Sequence, residues 1–253
     1  MDELIHFENL YGEKLTGTLH RPDVPSAHGV IFGHCFTCTR HTNILRQICQ
    51  DLANLGFIAL RFDFSGNGQS EGEFLESTYT KQISEMETAA DLMATYGVSW
   101  IGMAGHSLGA SVALLTAAKM KTVKAVSVLA GRLSGLTPTH FLSKDQQDEL
   151  RQTGKVFFSS RGRALQLSTS FFSDAKQFDL PKILRSLDHP LLIVHGNQDE
   201  IIPVTEAVKA HQINPGVIEL KVIRGADHMF SRKDHRSQVA GLVAGWFQRQ
   251  ISL

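Results

Sequence analysis

Gly105-His106-Ser107-Leu108-Gly109 is the stretch of this chain whose residue types and spacing most directly suggest chemistry. It follows an apolar run of strand length through Trp100, Ile101 and Met103, and it precedes Ala110 to Lys119, which reads as helix. A serine on so sharp a strand-to-helix turn sits in strained backbone. A side chain two positions before or after it would strike the neighbouring strand or helix, and Gly105 and Gly109 remove both collisions. Ser107 then stands proud of the sheet at a helix N-terminus, where free amides and the helix dipole favour a developing negative charge. A strand-to-helix turn that merely contains Gly and Ser is the bland alternative. Partners for Ser107 decide between the two.

A serine hydroxyl is a poor nucleophile until a base takes its proton, so a histidine must reach it and a carboxylate should hold that histidine in the right tautomer. In a doubly wound sheet such groups come from loops at the carboxyl ends of strands. Two loops qualify: Asn197-Gln198-Asp199-Glu200 and Arg224-Gly225-Ala226-Asp227-His228-Met229-Phe230. Asp199 and His228 follow Ser107 in the order serine, acid, histidine, with Glu200 the weaker acid. The loop after Gly131 reads Arg132-Leu133-Ser134-Gly135 and offers no carboxylate. Of the 12 histidines, His235 falls inside the last helix, His106 points away from its neighbour on the tight turn, and His34 and His195 close strands as backbone partners. An acyl-transfer intermediate also needs two fixed donors for its oxyanion. The amide of Leu108 supplies one, and the loop His34-Cys35-Phe36-Thr37 the other, through Phe36.

The elements that must position these residues read in order. Leu4 to His20 is an antiparallel hairpin, and Gly29–Gly33 a short buried strand. Ile44, Leu45, Ile48, Leu52 and Leu55 recur at a helical period stopped by Gly56. Phe57–Phe62 is a strand, and Ile83, Met86, Ala90 and Met93 mark a helix ending by Gly97. After the elbow helix come the strand Val123–Gly131, a break in the rhythm from Leu133 to Leu187, the strand Pro190–Gly196, a helix opened by Pro203, the strand Val217–Ile223, and a last helix from about Ser231 to Arg249 with an apolar stripe at Val239, Leu242, Val243, Trp246 and Phe247. Alternating strands and helices imply a mostly parallel sheet covered on both faces. Residues 133–187, with Phe141, Phe157, Phe158, Phe171, Phe172 and Phe178, read as an insertion carrying short helices after the sixth strand. Those phenylalanines serve either as ordinary packing or as pocket walls.

At 253 residues with 42% hydrophobic and 20% charged residues, the chain can bury a sizeable core as one domain, 1–253. Lys plus Arg balance Asp plus Glu at 25 each, so no basic field exists for nucleic acid or an anionic membrane. No stretch reaches the length of a membrane span, the acidic start lacks a secretory signal pattern, and three cysteines argue against a disulfide framework and for a reducing compartment; a cytoplasmic protein is expected. Cys35-x-x-Cys38 also admits a redox pair, or a metal site helped by His34 and His41, but the further ligands such a site needs are missing nearby. Ser65-Gly66-Asn67-Gly68 lacks the lysine of a P-loop.

Taken together, Gly33-His34-Cys35-Phe36, Asp63-Phe64-Ser65-Gly66-Asn67-Gly68-Gln69-Ser70, the elbow, and the Asp199 and His228 loops resemble the α/β-hydrolase superfamily over nearly the whole chain. Within it the chain is similar to small carboxylesterases and cinnamoyl esterases, and its His-Cys-Phe-Thr-Cys wording also resembles the hydrolase module fused to OsmC-like domains. The resemblance implies an α/β-hydrolase fold with an inserted cap, a serine esterase working through Ser107, Asp199 and His228, no cofactor or metal, a small-molecule ester as its partner, and a turn role beside the site for the Ser65 loop. Many relatives carry glycine at the position of Cys35, so its side chain is expected to narrow the acyl pocket, with Phe171 and Phe172 as further substrate-binding residues. Cleavage of amide, peptide or carbon–carbon bonds, or a binding protein that kept the scaffold, are the rivals. Oligomeric state is left open, a homodimer included.

Overall fold

The computed structural model describes residues 2–136 and 142–251, so Phe141 lies outside the described residues. Strands β1 (Asp2–Glu8) and β2 (Lys14–His20) form the expected antiparallel hairpin. β3 (His28–Gly33), β4 (Ile58–Phe62), β5 (Trp100–His106), β6 (Val123–Leu129), β9 (Leu191–Gly196) and β10 (Ile218–Ile223) run parallel to one another, with β4 antiparallel to β2. The eight strands form one sheet in the order β1-β2-β4-β3-β5-β6-β9-β10. Chain order reverses around β3, the kind of switch point outside whose strand ends a doubly wound sheet builds its sites.

Each face of the sheet carries its own apolar layer. On one side α1 (Asn43–Asn54) buries Ile44, Leu45, Ile48, Cys49 and Leu52, and α8 (Lys233–Gln250) buries Val239, Val243, Trp246 and Phe247. The other side is covered by α2 (Tyr79–Thr95) and α3 (Leu108–Lys119), whose layer continues into α7 (Thr205–Ile213). Thr78 starts α2 by accepting the Lys81 amide, which satisfies one of the amides a helix start leaves open. Pro203 precedes α7 rather than opening it: its carbonyl accepts the Glu206 amide at 2.9 Å, and the helix begins two residues later at Thr205.

Between β6 and β9 the chain leaves the sheet, as the break in rhythm predicts, but short helices are only part of the segment. It holds α4 (Lys144–Thr153), α5 (Thr169–Ala175) and α6 (Leu180–Arg185), and also an antiparallel hairpin of β7 (Lys155–Ser160) and β8 (Arg163–Ser168). Its two-residue turn, Arg161-Gly162, has φ of 51° and 74°, the left-handed pair that matches strand twist in a tight hairpin. Val156, Leu165 and Leu167 face inward while Phe157 is 54% exposed. Asp174 pins the segment to the sheet layer by accepting from the Thr80 amide and hydroxyl.

One sequence expectation is corrected. Instead of three free thiols, Cys35 and Cys38 form a disulfide, and Cys49 alone is free and buried. The β-turn closed by the Cys38 amide on the Cys35 carbonyl at 3.0 Å brings the two Cα atoms to 5.2 Å, well inside the range a disulfide spans.

Candidate active site

Ser107 sits between β5 and α3 with φ 57° and ψ −116°, a conformation L-residues rarely adopt. The close approach around it explains the two glycines. A Cβ on Gly105 would overlap the Gly109 carbonyl, and one on Gly109 would overlap the carbonyl of Gly33 at the end of β3. The Ser107 amide is spent on the Leu129 carbonyl of β6 at 2.9 Å, which locks the turn to the adjacent strand. Leu108 is the first residue of α3, so its amide has no carbonyl four residues back within the helix.

Asp199 and His228 come from the loops after β9 and β10, and the structure brings them together: His228 Nδ1 lies 2.8 Å from Asp199 Oδ2. Local bonds staple the two loops. The Gln198 amide donates to the Ala226 carbonyl at 3.0 Å, the Gly225 amide to Asn197 Oδ1 at 2.6 Å, and a Cβ on Gly196 would strike the Ala226 carbonyl. Asp199 Oδ1 accepts the Ile201 and Ile202 amides at 2.9 and 2.7 Å. Burial pushes the Asp199 carboxyl up, but hydrogen bonds from His195, His228 and the Ile202 amide outweigh it and hold the group well below the usual carboxylate range. It is therefore a carboxylate at neutral pH, able to hold the proton of His228 on Nδ1 and leave Nε2 bare to accept another.

Three buried histidines at strand ends support the site: His34 and His195, expected as backbone partners, and His106, expected to point away from the nucleophile. His195 Nε2 reaches both the Ile202 carbonyl at 2.8 Å and Asp199 Oδ2 at 3.1 Å, so two imidazoles share one carboxylate. His106 turns away from the nucleophile and under His228: its Nε2 donates to the His228 carbonyl at 2.8 Å and the rings lie 5.0 Å apart. Burial, then the neighbouring His228, pushes the His106 imidazole down to about 3, which keeps it neutral and a fixed donor. His34 accepts the Phe64 amide on Nε2 at 3.1 Å and so donates from Nδ1 to the Cys35 carbonyl at 2.7 Å, tying the loop after β3 to the loop after β4. What could have revealed them is position: each lies at the carboxyl end of a parallel strand in the interior of the sheet.

Above Ser107 opens a cavity of about 490 Å³. Ser107, Leu108 and Phe36 line it together with Tyr79, Leu136, Phe158, Phe171, Ile201 and Ile202, and Arg132 and Gln146 are polar members of the wall. Phe36 stacks on Phe158 with centroids 5.9 Å apart and meets Phe171 at 5.4 Å, and Tyr79 stacks on Phe171 at 5.5 Å, so the aromatic side of the wall is a continuous cluster. Of the residues read as substrate-binding, Phe171 is in the wall, whereas Phe172 packs edge-on behind it at 5.5 Å. Cys35 is not in the wall: it is 4% exposed with its sulfur committed to Cys38, so it shapes the loop rather than narrowing the cavity. Phe158, one of the phenylalanines read as packing or pocket wall, lies in the wall, whereas Tyr79 and Arg132 are wall residues that carry no distinguishing sequence signal, since only the start of α2 and the exit of the chain from β6 bring them here.

Residues 30–178 match the family described as Serine aminopeptidase, S33. Among curated proteins, the mouse mitochondrial palmitoyl-protein thioesterase ABHD10 is 27% identical over 186 residues, covering 71% of this chain and 62% of the relative, so the chain spans under two thirds of that relative's length. A monoglyceride lipase homolog of monkeypox virus is 22% identical over 213 residues, covering 74% and 77% of the two chains. Among solved structures, the ferulic acid complex of Est1E from Butyrivibrio proteoclasticus superposes with a TM-score of 0.87 at 25% identity, over 98% of this chain and all of that one. The esterase domain of a Rhodothermus marinus protein gives 0.78 at 25% identity over 98% of each chain. The fold is that of α/β hydrolases, and the similar proteins are esterases, thioesterases and lipase-like hydrolases.

Proposed function

We propose that this chain, which belongs to the serine aminopeptidase S33 family of α/β hydrolases, is a serine esterase that cleaves carboxylic esters of small molecules through an acyl-enzyme intermediate. The observation that carries the reading is the Asp199–His228 pair joined at 2.8 Å behind a serine held on a strained elbow at the floor of an apolar cavity. In the mechanism, Ser107 Oγ attacks the ester carbonyl as His228 Nε2 takes its proton, and Asp199 stabilises the imidazolium that forms. The amides of Leu108 and Phe36 donate to the oxyanion. Collapse of the intermediate expels the alcohol, which receives the proton from His228. Water activated by the same imidazole then releases the acid from Ser107.

The cavity also favours ester over aminopeptidase chemistry. Removing an N-terminal residue requires a carboxylate to hold the substrate's ammonium group, and among the described residues the cavity wall contains no Asp or Glu. Aromatic and aliphatic side chains dominate it instead, which suits an uncharged acyl group. The segment from 133 to 187 acts in this reading as the cap that supplies Phe158 and Phe171 to the wall and excludes water. No described helix is long and apolar enough to cross a membrane. For its compartment, the cytoplasm stands beside the mitochondrion that the mouse relative's name suggests, and microscopy of the tagged chain separates them.

Labelling by a fluorophosphonate, followed by mass spectrometry, tests the assignment. We expect modification at Ser107, hydrolysis of 4-nitrophenyl butyrate, and loss of both in folded Ser107→Ala, by several orders of magnitude for the hydrolysis. Turnover of aminoacyl anilides in preference to the ester would reverse the choice of substrate.

A further inference from the structure

A second cleft, of about 460 Å³, lies on the other side of the loop that carries Phe36. Its wall includes Thr37 and Cys38 of that loop, Arg161 of the hairpin turn and Arg163 at the start of β8, and Met229 and Arg236 after His228. The two spaces share a partition: Thr37 Oγ1 and Ser160 Oγ are hydrogen-bonded at 2.7 Å, Thr37 facing this cleft and Ser160 the cavity above Ser107.

The charge of this cleft needs an explanation. The chain as a whole has equal numbers of acidic and basic residues, yet no Asp or Glu is among the described residues of this wall. Each guanidinium is held by a neutral acceptor rather than a carboxylate. Arg161 donates to the Met229 sulfur at 3.5 Å, Arg163 to the Gly66 carbonyl at 3.4 Å, and Arg236 to the Ser231 carbonyl. Each therefore keeps donors and a full charge for something else, and three like charges around one cleft repel until an anion enters. Arg161 moreover adopts φ 51° at a turn position where Asn or Gly sits without strain. The field extends deeper: burial first, then Arg40 and Arg61, hold the His41 imidazole at the edge of the cleft below its usual value.

We propose that this cleft binds a phosphoryl group carried by the leaving group of the ester. The inference rests on the esterase reading, because the chemistry of that reaction fixes the side. The leaving oxygen takes its proton from His228, so the alcohol departs on the His228 side, and Met229, the next residue in the chain, lines the cleft together with Arg236. Planar guanidinium forks match the oxygens of a doubly charged phosphoryl group, and the hydroxyls of the loop add neutral donors. The substrate class is then an acyl ester of a phosphorylated alcohol.

The test compares 1-butyrylglycerol with butyrylglycerol 3-phosphate in the wild-type protein and in Arg163→Gln/Arg236→Gln. We expect the wild type to favour the phosphorylated ester by tenfold or more in kcat/KM, and the double variant to lose that preference while hydrolysing 1-butyrylglycerol at the wild-type rate. Inorganic phosphate, titrated calorimetrically, should bind the wild type and bind the double variant at least tenfold more weakly, and it should compete with the phosphorylated ester only. Phosphate binding without preference between the esters would assign the cleft to free phosphate and overturn the leaving-group assignment. An equal loss on both esters would make the arginines structural, and absence of phosphate binding would remove the site altogether. Equal kcat/KM for the two esters, with no competition by phosphate against the phosphorylated one, refutes this inference alone, whereas failure of fluorophosphonate to label Ser107 refutes the esterase reading beneath it.

Discussion

Replacing Asp199 by Asn tests the proposed machinery at the residue with the most constrained surroundings. Its two oxygens face four donors: the Ile201 and Ile202 amides at 2.9 and 2.7 Å on Oδ1, and the His228 and His195 imidazoles at 2.8 and 3.1 Å on Oδ2. An asparagine is close to the same shape, but only one of its two positions accepts. If its oxygen keeps the two amides, which hold the loop, the NH₂ faces His228 Nδ1. The imidazole must then offer a lone pair there and carry its proton on Nε2, the nitrogen that has to take the proton of Ser107. Such a tautomer exchange costs about 10⁴ in kcat in a serine protease, or about 5.5 kcal/mol of barrier. We expect a loss of that order for 4-nitrophenyl butyrate, with KM little changed and Ser107 still presented on its elbow. The assay is initial rates at pH 7 to 8 beside a thermal melt for each protein. A folded Asp199→Asn protein that keeps kcat within tenfold of the wild type would refute the role given to the carboxylate, and would point to Glu200 or to no acid at all.

Two further outcomes follow from burial. Glu85, fully buried, accepts the Asn9 side-chain amide and the Ser65 amide at 3.1 and 3.2 Å, yet burial pushes its carboxyl up from 4.5 to about 7 despite them. Between those values the unfolded chain releases the proton and the folded one keeps it, so stability is full below pH 4.5 and falls as pH rises through 7, by about 3 kcal/mol at about 1.4 kcal/mol per unit. Urea melts at pH 5 and pH 8 should show that drop in the wild type and not in Glu85→Gln; parallel behaviour of the two proteins would contradict it. Phe171, with no exposed surface and contacts to Phe36 and Tyr79, should cost about 3–5 kcal/mol of stability as alanine. The same change should also shift the ratio of kcat/KM for a bulky aromatic ester against a short alkyl ester by tenfold or more. Equal losses on both esters would assign Phe171 to packing alone.

What the sequence makes legible here is set by range. The elbow is local: five residues, two of them glycines, contain the whole reason for its geometry. The alternation of strands and helices is nearly as local, since Ile44, Ile48 and Leu52 repeat at the period of the helix they form. The position of β3 between β4 and β5 is a matter of pairing across long separations, which no window of the chain contains. The β7–β8 hairpin did carry a signal, alternation around Arg161-Gly162, but the polar composition of the segment masked it. The Cys35-x-x-Cys38 spacing suits a metal, a redox pair or a bridge equally, and only the turn that brings the two residues together selects among them. Likewise, no pattern says that His195, four residues before Asp199, folds back onto the same carboxylate.

The way the chain leaves β6 bears on how such a protein could be re-engineered. Leu129 holds the Ser107 amide, Ala130 turns with φ 47°, and the Arg132 carbonyl receives the Ser111 hydroxyl at 2.9 Å. Glu206, on α7, then captures the Leu133 and Ser134 amides at 3.0 and 2.9 Å. The first residues of the excursion thus belong mechanically to the elbow and to a helix of the main layer, while the described residues 142–187 dock on the body farther out, through Asp174 on Thr80, Ser160 on Thr37, and Phe158 and Phe171 on Phe36. A chimera joined at Gly135 and Pro190 inherits the nucleophile's geometry whatever pocket roof is grafted between; one joined at Gly131 brings a foreign backbone into the serine's own support.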